Sequence, residues 1–182
     1  MIKSTVKTLL LFALCLMLQS CAYKPVNQSK IPLSKLNALA ETEQHFRDTQ
    51  KLNDYFEQAV AYAILPINVR VGTGFGGAWG EGWVIEQKQT TGKVSQWQFF
   101  VGINFGAQLY EQILFFKTKA ALEAFKEGTF EFAGQANATA IIWGVAATPS
   151  FSQDVALFTL IDGGLLLEGS IGMHRYDFAP TF

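Results

Sequence analysis

Histidine and cysteine are scarce: the 182-residue chain has two of each. His45 and His174 stand far apart, and no His-Cys-Glu cluster with zinc spacing accompanies either, so no metal site is expected. No G-x-S-x-G nucleophile elbow is present, and Ser170, His174 and Asp162 form a triad only if folding brings them together. Neither enzyme activity nor a cofactor is therefore expected. Charge of one sign is also lacking, with 14 basic against 15 acidic residues. That balance argues against a nucleic-acid partner, whose phosphates are bound through clustered cations. The one long apolar run, Leu9 to Leu18, is shorter than the roughly 20 residues a spanning helix needs.

That run has a different use. Lys3 and Lys7 precede it and Leu18-Gln19-Ser20-Cys21 follows it, in the charged, apolar, small-residue order of a bacterial export signal. A thiol directly after Leu-x-Ser is the lipobox arrangement, in which diacylglycerol is attached to sulfur before cleavage. Residues 1–20 are expected to be a lipoprotein signal peptide, residues 21–32 an acylated terminus with its tether, and residues 33–182 a single domain. Cys15 would leave with the signal, and Cys21 would carry chains of the palmitate class. Each buried CH₂ of such a chain contributes about 0.8 kcal/mol, and more than one chain gives durable anchoring. Loss of Lys3 and Lys7 leaves 12 basic residues against 15 acidic, a formal charge of −3. Ala22 rather than Asp follows the cysteine, so the expected address is the outer membrane of a Gram-negative cell, facing the periplasm.

Sixteen Phe, four Trp and sixteen Gly predict a β-rich domain with close backbone approaches. Leu33 to Ala63 has helical spacing, with Ser34 as cap, a break near Thr49 to Asp54 and an end before Pro66. Strands are expected from Val69 onward. Gln87 to Lys93 reads as a hairpin connection with Gly92 as its turn residue. Trp97, Phe99, Val101, Ile103, Phe105 and Ala107 then alternate with Gln98, Phe100, Gly102, Asn104, Gly106 and Gln108. The first set reads as core and the second as a mixed face. Glu111 to Phe116 follows as another strand, and Thr118 caps a helix ending at Gly128. Val155 to Ile161 and Leu165 to Ile171 are strands joined at Asp162-Gly163-Gly164, with a short tail from His174. The expected fold is α+β: N-terminal helices packed on a strongly bent, mainly antiparallel sheet, with closure toward a barrel left open.

Gly72-Thr73-Gly74-Phe75-Gly76-Gly77 matches the dinucleotide pattern G-x-G-x-x-G, but no helical sequence follows it, so glycine packing in a sheet explains it. Trp79, Trp83, Trp97, Phe100 and Trp143 have two readings. They pack in the core, or they take an acyl chain or rest on headgroups, as rings with a polar N–H do at a lipid boundary. Glu168 interrupts the apolar Leu165 to Ile171 and either faces solvent, pairs with a cation or lines a pocket. An apolar groove near Glu168 and Asn104 is the place where lipid is expected.

Several segments in series resemble the SYLF domain, a lipid-binding module also found in yeast and animal proteins of actin and membrane traffic. They are Ala59 to Pro66, Gly72 to Val84, Gly102 to Gln108, Thr118 to Phe125, Gly134 to Ala138 and Gly163 to Ser170. The resemblance implies an exported lipoprotein that binds phospholipid or another membrane lipid without catalysis. Basic residues near the domain start are few (Lys35, Arg47, Lys51 and Arg70), so it implies no phosphoinositide preference. The alternative is an envelope-maintenance lipoprotein that acts through a protein partner.

Overall fold

The computed structural model describes residues 31–49, 52–128, 140–142, 145–147, 154–161 and 169–181. Two helices, α1 (Leu33–Asp48) and α2 (Asn53–Gln58), precede the long strands β1 (Ala61–Glu86) and β2 (Gln89–Phe116). Helix α3 (Lys119–Lys126) follows, then β3 (Ala140–Ile142), β4 (Val145–Ala147), β5 (Val155–Ile161) and β6 (Gly169–Pro180). The fold is α+β with one antiparallel sheet, ordered β1-β2-β5-β4-β3, and β6 also pairs with β2. The sheet does not close into a barrel, so that alternative is set aside.

The β1–β2 hairpin is bent double. Gln96 and Tyr110 are 14 positions apart on β2, yet Gln96 Nε2 lies 3.0 Å from the Tyr110 hydroxyl. An extended strand would separate them by about 46 Å at 3.3 Å per residue. The bend falls where the register slips: Thr73 faces Phe105, but Phe75 faces Val101, so β2 carries two extra residues there. Gly74 (φ 82°) and Gly106 (φ 111°) flank the slip in backbone conformations that favour glycine. β6 covers the second edge of β2 from Gly92 to Ile103, and β5 covers it from Tyr110 to Phe116.

Burial on both faces explains why the apolar run Ala61 to Leu65 does not alternate. In Ala61 to Leu65, Ala61, Ala63 and Leu65 join a cluster with Val94, Leu114, Phe116, Leu122 and Phe125. Ile64 points the other way, into a cluster with Leu39 and Phe46 of α1, Leu52, Trp83, Ile113 and Phe115. Thr42 donates to Glu111 at 3.0 Å beside this second cluster, and His45 Nδ1 reaches the same carboxylate at 3.0 Å.

Several sequence expectations change. α2 stops at Gln58, and Ala61 to Leu65 is already strand, so Pro66 sits within β1 rather than after a helix. A strand tolerates that proline at an edge or a bulge, and the register does shift between Leu65 and Asn68. Ser34 is not the cap of α1; Pro32 occupies that position and makes no side-chain bond. Gly92 is not a turn residue either. Gln87 and Lys88 turn the hairpin with φ of 49° and 66°, as a two-residue primed turn requires, while Gly92 lies in β2 opposite Val84. Glu111 to Phe116 continues β2 instead of forming a separate strand, and the tail from His174 is part of a 12-residue strand. Thr118 does cap α3, accepting from Ala121 N, and Gly128 follows the helix with φ 69°.

Two tyrosines give the fold an alkaline limit. Burial, then the Glu43 carboxylate 3.0 Å away, pushes Tyr62 up to about 12. Burial also raises Tyr176, whose hydroxyl donates to Gln112 at 2.9 Å, well above its ordinary value. Both folded values exceed the unfolded value of about 10, so the stabilisation is complete below that pH and lost as pH rises above it. Melting temperature is expected to fall between pH 10 and about 12, and Tyr62→Phe should flatten part of that fall.

Candidate functional site

The bent hairpin has an inside and an outside, and they are the reverse of the sequence expectation. On β2, Gln96 and Phe100 are buried, while Trp97, Phe99 and Val101 are exposed. The inner face is polar, and its amides satisfy one another. Gln96 Nε2 donates to Asn68 Oδ1 at 2.5 Å and to Tyr110 Oη at 3.0 Å. Asn68 Nδ2 donates to the Leu65 and Tyr110 carbonyls, both at 2.9 Å, across the bulge that follows Pro66. Gln96 Oε1 lies 2.6 Å from His174 Nε2, and since an amide oxygen only accepts, that nitrogen carries the imidazole proton. Buried amides whose donors and acceptors are matched do not need water. The Arg70 guanidinium lies 4.3 Å over the Phe100 ring, and Gly72 and Gly76 leave room for that ring.

Outside, the strand register assembles an apolar surface. Phe75 lies opposite Val101, Gly77 opposite Phe99, and Trp79 opposite Trp97. Directly paired residues share a face, and these side chains remain 65% (Phe75), 44% (Trp79), 62% (Trp97), 56% (Phe99) and 56% (Val101) exposed. A groove of about 890 Å³ runs among Phe75, Gly76, Gly77, Trp97, Phe99 and Arg175. Beyond the bend, Val71 and Leu109 are exposed as well. A smaller groove, about 340 Å³, lies between Ile67, Trp79, Lys93, Lys35 and Ala38.

The three cations beside these grooves meet two carboxylates. Arg175 places Nε 3.0 Å and Nη2 2.8 Å from Asp177 Oδ1. Lys93 and Lys35 approach the two oxygens of Glu81 at 2.6 and 3.5 Å. Partial burial pushes the Glu81 carboxyl up, but the hydrogen bonds and charges of Lys93 and Lys35 outweigh it and hold the group below its ordinary range. It is therefore ionised near neutrality and cancels part of their charge.

Of the aromatic residues singled out in the sequence, Trp79 and Trp97 are shown on this surface. Trp83 belongs to the core cluster with Leu39 and Phe46, and Phe100 is fully buried under Arg70, so both leave the candidate set. Asn104 lies in the register slip at the bend, and its side chain is outside the described residues. Cys21, Trp143 and Glu168 also lie outside the described residues, as do the Ser170 and Asp162 side chains. The expected groove near Glu168 and Asn104 thus rests on residues outside that set. Phe75 is an addition, and Trp97, Phe99 and Val101 move here from the expected core. Glycines 76, 80 and 82 and the amides of Asn68 and Gln96 mark the face that folds inward.

Among the described residues, no group of three His, Cys, Asp or Glu is placed to hold a metal ion. None of the described helices is long and apolar enough to cross a membrane, which says nothing of strands. No protein-family model matches the chain, and no curated protein matches it at a significant level.

Proposed function

We propose that this chain is a lipoprotein anchored through Cys21, whose domain, with N-terminal helices packed on the bent sheet, binds lipid or a membrane surface. The reading assigns it no catalytic step. It places the chain on the periplasmic face of an outer membrane, and the SYLF-like segments belong to the same reading. The observation that supports it is the exposed row Phe75, Trp79, Trp97, Phe99 and Val101. Aromatic side chains bury 150–250 Å² each, so four half-exposed rings leave about 400 Å² of apolar surface, within the roughly 300–600 Å² of a typical monomer's largest patch, which is often functional. At about 25 cal/mol per Å², covering it is worth on the order of 10 kcal/mol before the costs of association.

Sedimentation with vesicles tests this directly. The mature chain carrying Cys21→Ser is expected to pellet with phospholipid vesicles. Trp97→Ser combined with Phe99→Ser should weaken that binding by at least about tenfold, or about 1.4 kcal/mol, with little change in melting temperature because both residues are exposed. A folded chain that stays in the supernatant with every vesicle composition contradicts the lipid reading and favours a protein partner.

A further inference from the structure

The chain enters its domain beside the exposed apolar face. Ile31 packs against the cluster holding Leu39 and Trp83, and Lys35 and Ala38, in the first turns of α1, line the groove that contains Ile67 and Trp79. Only ten positions separate Cys21 from Ile31, a reach of at most about 35 Å when fully extended. A chain anchored at Cys21 therefore holds this face within one domain's width of its own bilayer. Tethers this short create local concentrations near the millimolar range, at which even a weak contact is occupied.

We propose that the bilayer carrying the Cys21 anchor is what covers the face formed by Phe75, Trp79, Trp97, Phe99 and Val101, and that this docking is indifferent to lipid charge. The inference rests on the lipoprotein reading above and adds an orientation and a recognition chemistry to it. The orientation follows from the short tether and its point of entry. The chemistry follows from the charges bordering the face. Arg175 is bound to Asp177, and Lys93 and Lys35 share Glu81. Anionic headgroups are drawn by uncompensated cations. Here three cations meet two carboxylates, which leaves one positive charge beside the face, and the mature chain carries a formal −3 (12 basic, 15 acidic once Lys3 and Lys7 are removed). What the face offers a bilayer is apolar area and two indole rings, Trp79 and Trp97, which suit the headgroup boundary. The bent hairpin then lies flat on the leaflet, with its amide-lined interior turned inward.

Hydroxyl-radical footprinting of the unaltered acylated chain tests this without any substitution. It is reconstituted in phosphatidylcholine vesicles and in phosphatidylglycerol vesicles, each at low and high salt. The free reference is the mature Cys21→Ser chain without lipid. Oxidation of Trp97 and Phe99 is expected to drop several-fold on anchoring, equally in both lipids and at both salt levels, while buried Trp83 stays unchanged. Protection confined to phosphatidylglycerol at low salt would overturn the proposal while leaving lipid binding intact. Unchanged oxidation of Trp97 in an anchored chain would overturn it while leaving the anchor intact. Protection that grows with protein density on the vesicle would overturn it in favour of a second copy of the chain. A chain that never enters the vesicles would remove the lipoprotein reading itself, and this inference with it.

Discussion

Gly82→Ala is expected to lower stability by about 3 kcal/mol or more, near the top of the range for overpacking a well-packed interior. In the bent hairpin, residue 82 crosses the start of its own strand. A Cβ there would collide with the carbonyl carbon and oxygen of Ile64 and with Leu65 Cα. All three are backbone atoms, so no side-chain rotation relieves the clash; the two halves of the hairpin must separate. At roughly 2–4 °C per kcal/mol for a chain of this size, melting temperature should fall by about 6–12 °C. Gly77→Ala is the matched control. Its Cβ meets only the Gln98 carbonyl, at 3.2 Å, on the outer face, and a loss of about 1 kcal/mol or less is expected. Equal losses at the two positions would contradict the doubled-back hairpin.

Asn68→Leu is expected to cost a similar amount for a different reason. The side chain closes the gap opened by the register shift after Leu65, donating to two carbonyls and accepting from Gln96. Leucine fills comparable space but takes a partner from each of three buried groups. A buried group left without its hydrogen bond costs about 1–3 kcal/mol, so a total of about 3 kcal/mol is a low figure for three. Gln96→Leu added to Asn68→Leu should cost less than the two losses summed, because the second change removes a donor that the first left without its Asn68 acceptor. Chemical denaturation of the two single variants and the double variant measures this coupling. Strict additivity would mean that the two amides do not meet inside the hairpin.

The same amides explain what was legible in the sequence and what was not. Helix α1, the Thr118 cap of α3 and strand β5 each follow a local rule that depends on nearby residues alone. The period of β2 was equally plain. Which of its faces lay inside was not, because alternation fixes the period and leaves the direction to tertiary structure. An apolar row opposite an amide row normally turns inward. Here Gln96 and Phe100 on the amide side are buried, since Gln96, Asn68, Tyr110 and His174 satisfy one another across a bend no local pattern announces. For the same reason Trp83 and Phe100 lie in the core, while Trp97, Phe99 and Val101 leave the expected core for the surface. Pro66 misled more simply: a proline that ends a helix and one that sits in an edge-strand bulge look alike in sequence. Gly92 resembled a turn residue, but its lack of a side chain instead admits the Phe178 ring.

The outward direction of the β2 aromatic row underlies every functional step above, and one fluorescence measurement reaches it directly. A mature Cys21→Ser chain with Trp79, Trp83 and Trp143 changed to Phe keeps Trp97 as its sole indole. In buffer, that indole is expected to emit as a hydrated ring and to be quenched readily by acrylamide; added phospholipid vesicles should shift its emission to the blue and shield it. A folded variant whose Trp97 is already blue-shifted and shielded in buffer, and unchanged by lipid, would place the row in the core and contradict the account.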